Sequence, residues 1–373
     1  MKKVRLFFPY ETSHATDGAG IVTRNLIKAI RSLNYQVDFY YWLGPAQQAT
    51  DSFDLREQFE IHQSSKFSRV LKSLFSDLAS PELYYYPGCP DLSRLKEPAI
   101  NIFTYSFSYS WLHDKRFRPA GPCVVYIHNL ESQLFKERAK TEKNIIKKWI
   151  HSRNAQLLEN HEIELFKIVD CVWQISHKDL LKNPAANQCF VPPIFTSAPP
   201  SAPDRSPSHV LGFMGALDFG PNQDSLHWIL DQIVPTLNSE WTFEVIGKSA
   251  PRALIEKMKA HSQVKYLGFV QDLAKTTDRW RALLAPNVSG SGTRIKIFEA
   301  LSMGMPVFTT TRTLETMPGF THDHLFASDS PRAWLDHLNG NVHSKASENL
   351  DLHDWAMSYL KLALNKVEQT HVS

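Results

Sequence analysis

Cysteine is scarce: four residues in 373, at Cys89, Cys123, Cys171 and Cys189, with no Cys-x-x-Cys spacing. That excludes a disulfide framework and a zinc ribbon, and implies a reducing compartment. Long apolar runs are also missing. Stretches such as Val210–Leu217 fall far short of the roughly 20 residues that span a bilayer. The opening Met1-Lys2-Lys3-Val4-Arg5-Leu6-Phe7-Phe8-Pro9 carries basic residues but no apolar core of export length. Net charge is only +3, too slight to imply nucleic acid as a partner. Glycine numbers 15 and hydrophobic residues make up 43%, which excludes a collagen-like or mostly disordered chain. The expectation is a soluble, cytoplasmic protein of two or three domains.

The small net charge is unevenly placed. Residues 1–195 hold 25 Lys/Arg against 20 Asp/Glu, and the remainder 16 against 18. The surplus is densest at 136–153, where seven bases (Lys136, Arg138, Lys140, Lys143, Lys147, Lys148, Arg153) face two acids. Phe135, Ile145, Ile146, Trp149 and Ile150 are interleaved with them. That mixture suits an anionic membrane surface, and it equally suits a solvated helix whose apolar residues pack on its own domain.

Short apolar runs alternate with helical patterns. Val4–Pro9, Gln36–Trp42, Leu83–Pro87, Cys123–Asn129, Cys171–Ser176 and Cys189–Ile194 read as buried strands. Val22, Leu26, Ile30 and Leu33 recur at helical spacing between the first two. Strand, helix and strand in repetition predict a parallel sheet covered on both faces. Seven prolines then fall between Asn183 and Ser208, and the pattern restarts. His209–Gly215, Trp241–Gly247, Val264–Val270, Ala282–Pro286 and Pro306–Thr311 read as strands; Asp224–Leu237, Pro251–His261, Arg294–Met303 and Leu350–Lys366 read as helices. The fold class is α/β with two Rossmann-like domains: 1–195, a Pro-rich linker at 196–208, a second domain at 209–349, and a terminal helix at 350–373.

The most informative stretch runs from Ala285 to Val307. A strand ends in the loop Ser289-Gly290-Ser291-Gly292-Thr293-Arg294, and a helix follows directly. Small residues let a ligand approach the backbone, and free N–H groups of a first helical turn attract an anion. Lys296, Glu299 and Met303 share one helical face, and Gly304 with Pro306 stops the helix. The stretch is either a phosphate cradle with a carboxylate one turn deeper, or a Gly/Ser loop beside an ordinary i,i+3 ion pair.

This stretch resembles the donor-binding signature of retaining GT-B glycosyltransferases of family 4 (glycosyl transferases group 1). Asp218-Phe219-Gly220-Pro221-Asn222, Val264–Val270 with Asp272, and Pro306–Thr311 fall in that family's order. The resemblance implies two Rossmann-like domains facing a central cleft, a nucleotide-sugar held mainly by the second, and a C-terminal helix returning to the first. It implies Glu299 on the donor ribose, with Lys296, Arg294 and the loop Gly290, Ser291, Gly292 and Thr293 on the phosphates, and Val270 beside the donor. In two places the sequence departs from the family. Ser291 stands eight positions before Glu299, where a second glutamate is usual. The Arg and Lys that usually follow the first strand of the second domain are absent from Gly215–Asn222, and Lys248 could supply part of that charge.

Three other groups are candidates. Gly247-Lys248-Ser249 is not a P-loop, because Thr242 stands where that motif needs its first glycine. Asp17-Gly18-Ala19-Gly20 lacks the third glycine of a dinucleotide fingerprint; it is a tight strand–helix turn or, by the resemblance, a loop facing the donor phosphates. His128 follows a strand at the carboxyl edge of the first sheet, where it is either structural or orients a substrate hydroxyl; the resemblance places it near the transferred sugar. His322-Asp323-His324 completes no metal-ligand set.

No Asp-x-Asp occurs, so the divalent metal of a GT-A enzyme is not expected, and no cofactor is either. The implied function is a retaining hexosyltransferase, metal-independent, moving a sugar from UDP- in preference to GDP-sugar onto a glycan or lipid-linked glycan. Its expected place is the cytoplasm, with the inner membrane face a second possibility through 136–153. A GT-B epimerase or hydrolase, or a weakened nucleotide-sugar-binding protein, shares the same fold, and fold alone does not choose among them.

Overall fold

The computed structural model describes residues 2–9, 18–43, 58–60, 66–86, 91–182, 187–196, 208–290, 292–340 and 350–372. The linker expected at 196–208 lies almost wholly outside these. The chain forms two compact units: Met1–Ile194 with Met357–Ser373, and Phe195–Ala356.

The first unit is built on seven parallel strands: β1 (Lys3–Phe8), β2 (Gln36–Leu43), β3 (Gln58–Glu60), β4 (Ile100–Thr104), β5 (Cys123–Ile127), β6 (Cys171–Gln174) and β7 (Gln188–Phe190). Their order is β3-β2-β1-β4-β5-β6-β7. Val4 lies opposite Val37 on one side and Ile100 on the other. Strands covered on both faces need apolar residues at consecutive positions, and Val4, Leu6, Phe7 and Phe8 are all fully buried. Phe7 stacks between Tyr40 and Phe103, at ring-centroid distances of 4.9 and 4.3 Å.

The second unit has six parallel strands: β8 (Val210–Met214), β9 (Thr242–Ile246), β10 (Val264–Gly268), β11 (Ala282–Leu284), β12 (Val307–Thr309) and β13 (Leu325–Ala327). The order β10-β9-β8-β11-β12-β13 reverses direction between β8 and β11. Leu211, Phe213, Val245 and Leu284 form its core with Trp334 from a covering helix. Gly212 is a space requirement: a Cβ there would lie 2.0 Å from the ring of Trp280. The Trp280 indole donates to Glu244 at 2.9 Å, and Glu244 also accepts both arms of Arg279, so this buried carboxylate is fully partnered.

One strand expected from the sequence is not a strand. Leu83–Pro87 falls on the helix Ser80–Tyr85 and the turn after it, its last residue outside the described chain. Pro81 sits in the first turn, and Glu82 reaches back to the Ala79 N–H at 2.5 Å, so local capping outweighs the β-preference of three tyrosines. The strand next to β1 is instead Ile100–Thr104. Its Asn101 interrupts the apolar run, yet is fully buried, because its amide donates to the carbonyls of Ala99 and Ala120 at 2.8 and 2.9 Å.

The last helix, Leu352–Val372, starts within the second unit and completes the first. There Glu368 accepts from Lys2 at 2.6 Å and Tyr35 at 2.7 Å, Lys366 donates to the Gln188 carbonyl at 3.2 Å, and Tyr359 packs edge-on to Phe190.

Candidate functional site

Open parallel sheets bind ligands at the carboxyl ends of strands where the order reverses. In the second unit that point lies between β8 and β11. The chain leaves β8 at Gly215 and β11 at Ala285, and the loop singled out in the sequence begins there.

The loop is held by side chains from three directions. Thr309 donates to the Ala285 carbonyl at 2.8 Å. The Thr310 hydroxyl accepts from the Asn287 N–H at 3.0 Å and donates to the Asn287 carbonyl at 3.1 Å. Arg312 donates to the carbonyls of Val288 and Gly290 at 3.0 and 2.7 Å. Ser289 bonds the Asp224 carboxylate. Arg294 is buried, and its guanidinium donates to Asn287 Oδ1 at 3.2 and 2.8 Å and to the Ser289 carbonyl. In this structure Arg294 braces the loop. Gly290 has φ +80°, and a Cβ there would meet the Pro221 ring at 2.7 Å, so the loop needs glycine at this position.

The helix Ile295–Ser302 starts directly after Arg294 and turns Ile297, Phe298 and Leu301 into the core. Its other side carries the two charged residues. Lys296 is half-buried, donates to Asn222 Oδ1 at 2.8 Å, and sits 4.1 Å from the centroid of the Phe213 ring. Burial, and secondarily Arg294, holds its pKa well below the usual lysine value. Gly215 makes room for this ammonium: a Cβ there would lie 2.9 Å from Lys296 Nζ and 2.7 Å from the Asn222 amide nitrogen. Asn222 is held in turn by donating to the Ala216 carbonyl at 2.9 Å.

Glu299 is half-buried, and its carboxylate bonds to none of the described residues. The i,i+3 ion pair with Lys296 is not formed; the ammonium goes to Asn222 instead. Burial raises the Glu299 pKa. A half-buried carboxylate with no bond to a described residue keeps its acceptor oxygens for water or for the hydroxyl or N–H groups of a ligand.

The remaining candidates are dispersed. Thr293 and Gly292 belong to the loop, and Ser291 lies outside the described residues. Lys248 is exposed; its carbonyl accepts from Leu217 N–H at 2.9 Å, and a Cβ on the preceding Gly247 would collide with the Gly215 carbonyl at 2.1 Å. Val270, partly exposed, follows β10. Gly18, Ala19 and Gly20 form the first turn of the helix Gly18–Ser32 in the first unit; Asp17 lies outside the described residues. His128 follows β5 in the same unit. It is buried against Tyr105 and Tyr126, with ring centroids 4.8 Å away in each case, and its Nε2 has no hydrogen-bond partner. Burial pushes its pKa down to about 3, so the imidazole is neutral. Among the described residues no three His, Cys, Asp or Glu side chains are grouped to hold a metal ion.

No role is assigned from the sequence to Asn222, Asn287, Thr309, Thr310 or Arg312, although the first four lie within the segments that carry the resemblance. A Pro-Asn pair opening a helix just after a strand is the only local signal for Asn222. The strap formed by the other four has none, since it joins residues more than twenty positions apart.

Residues 208–341 match the family model for glycosyl transferases group 1. The matched segment thus takes in the whole second sheet, the braced loop, Lys296 and Glu299. No curated protein sequence matches the chain. Among solved structures, a sucrose-phosphate synthase from Thermosynechococcus elongatus aligns over 100% of this chain and 95% of its own, with a TM-score of 0.62 and 14% identity. TarM from S. aureus, in complex with fondaparinux, alpha-GlcNAc-glycerol and UDP, aligns over 100% and 97%, with a TM-score of 0.59 and 9% identity. HepE from Anabaena, in complex with UDP and glucose, aligns over 100% and 97%, with a TM-score of 0.52 and 13% identity. At these identities the likeness is one of fold. The fold class is that of GT-B glycosyltransferases, and the group 1 domain supports a glycosyltransferase that uses a nucleotide-sugar.

Proposed function

We propose that the protein is a retaining hexosyltransferase whose second unit holds the nucleotide-sugar donor. The carrying observation is the Glu299 carboxylate, bonded to none of the described residues, one turn into the helix that follows the braced loop, near a half-buried Lys296. Glu299 bonds the ribose hydroxyls. Lys296 and the loop N–H groups meet the diphosphate, and Arg294 fixes the loop so that those groups need not reorganise as charge builds on the leaving group. His128, neutral, donates or accepts one hydrogen bond to the transferred sugar and is not the general base. UDP is favoured over GDP, in keeping with the UDP in the TarM and HepE complexes. The missing Asp-x-Asp supports a leaving group neutralised by fixed cations and helix N–H groups, without a required divalent ion.

The acceptor on this reading is a glycan or lipid-linked glycan, and the first unit carries the supporting surface. Ile145, Ile146 and Trp149 are exposed at 83%, 71% and 55%, beside Lys143, Lys147 and Lys148. Phe67 and Phe75 are also exposed, and Arg153 donates to the carbonyls of Ser73, Leu74 and Ser76, tying the end of helix Lys66–Leu74 to the helix that carries Trp149. Apolar side chains left in water next to lysines favour the anionic membrane over the self-packed helix. No helix among the described residues is long and apolar enough to cross a membrane.

Titration of the chain with UDP, GDP and their hexose conjugates tests the donor site, and sugar transfer with EDTA present tests metal independence. A weakened donor-binding protein is the second reading, favoured by Ser291 in place of the usual glutamate. Tight donor binding with no transfer to any acceptor, and no hydrolysis, would select it.

A further inference from the structure

The first unit contains a cavity of about 390 Å³ at the carboxyl ends of β4 and β5. One wall is aromatic: Tyr85 stacks on Phe107 at 4.9 Å between centroids, and Phe107 lies near-parallel to Tyr105 at 6.0 Å. Such a wall suits the apolar face of a sugar ring. Glu131 lines the same cavity, is 94% buried (6% exposed), and its carboxyl bonds to none of the described residues. Burial, with Glu162 nearby and against the opposing charge of Arg138, pushes its pKa up to about 8, which favours the protonated carboxyl, a hydrogen-bond donor as well as an acceptor. Two arginines complete the lining. Arg69 lies over the Tyr84 ring at 4.2 Å and Arg138 over the Phe135 ring at 5.1 Å. Neither guanidinium makes an ion pair or a hydrogen bond with a described residue. Arg69 is half-buried and Arg138 exposed at the rim, where its charge also acts on Glu131; each lies over a ring with guanidinium donors open, as arginine needs to recognise carboxylate or phosphate.

We infer that this cavity binds a sugar ring carrying an anionic substituent, phosphate or carboxylate, with the ring on Tyr85, Phe107 and Tyr105, a ring hydroxyl on Glu131, and the anion on Arg69 and Arg138. A neutral ligand would leave both arginines unused, and a plain anion would leave the aromatic wall and Glu131 unused. The inference rests on the transferase reading only in one respect: if the second unit holds the donor, this anionic sugar is the acceptor, or the acceptor's terminal residue.

The test uses the full chain and three probes, glucose 6-phosphate, glucuronate and glucose, titrated by calorimetry or ligand-observed NMR with UDP present at saturation. One or both anionic probes should bind about tenfold or more tightly than glucose. Arg69→Gln with Arg138→Gln should erase that preference, and Glu131→Leu should weaken all three probes about tenfold. If glucose binds as well as the anions, or if the double variant keeps the preference, the inference is overturned. UDP affinity, unchanged in each variant, and a single cooperative melting transition show that the chain is folded. Binding of UDP with no response to any probe overturns this inference and leaves the donor site intact. A response to the anionic probes without UDP affinity does the reverse.

Discussion

Glu299 and Lys296 sit three residues apart and do not meet, and the chemistry follows from that separation. A carboxylate with no bond to a described residue and a half-buried ammonium offer a ligand one acceptor and one cation, each partly desolvated. Glu299→Ala should weaken UDP binding roughly tenfold or more, given charge-assisted bonds of about 1.5–3 kcal/mol, while melting is unchanged; equal calorimetric affinity would remove Glu299 from the site. Lys296 allows a sharper test through protons. Its pKa is lowered in the free protein by burial and by Arg294, with Asn222 and Phe213 as its other neighbours. A bound diphosphate favours the charged form and raises that pKa. At pH values between the free and bound pKa of Lys296, UDP binding should therefore take up protons, and affinity should fall as pH rises across that window. Calorimetry in buffers of different ionisation heat measures the uptake directly, and a buffer-independent enthalpy would contradict the assignment. In turnover, Lys296→Ala should lower kcat more than it raises KM, because charge grows on the leaving diphosphate in the transition state.

At the level of elements, the helix Glu131–Thr141 packs on the long helix Ile145–Ile168 through an acidic contact. Glu162 accepts from the Ser132 N–H at 3.2 Å and from its hydroxyl, and burial pushes its pKa up to about 7, beside Glu131 at about 8. Both raised carboxyls hold protons that the unfolded chain releases near the ordinary value. Their contribution to stability is full below that value and is lost as pH rises through about 7 and then about 8. The first unit should melt several degrees lower, on the order of 5 °C, at pH 9 than at pH 6, and Glu131→Gln should flatten that slope. Calorimetric melting across this range decides it. The sequence showed parts of this architecture and hid others, for physical reasons. The loop and helix from Ala285 to Gly304 were legible because backbone signals there are local: glycines, a helical stripe, and a Gly–Pro stop. Leu83–Pro87 was misread because a tyrosine run carries β-preference, while the deciding features were a proline in the first turn and a glutamate reaching back to cap. Ile100–Thr104 was hidden by Asn101, whose burial depends on the Ala99 carbonyl and on the Ala120 carbonyl nineteen positions away. The partner of Lys296 could not be read at all, since Asn222 reaches it across seventy-four positions, joined by strand order alone.

For the whole molecule, surface and chain path yield one prediction each. Reversing charge at Lys143, Lys147 and Lys148 should abolish co-sedimentation with anionic vesicles, and salt beyond physiological strength should do the same to the wild type. Wild type that ignores such vesicles at low salt would remove the membrane from the proposal. Deleting residues 357–372 should destabilise the first unit specifically, because Lys2, Tyr35 and Gln188 lose their partners on the last helix. The second unit, Phe195–Ala356, is one unbroken segment, whereas the first is assembled from two pieces of chain that bracket it. Order of synthesis and order of completion are thereby inverted. On the ribosome the strands of the first sheet are made before the second unit but wait, with the seat of the last helix beside Lys2, Tyr35 and Gln188 unfilled. The second unit can assemble its whole sheet before the residues that complete the first have been made.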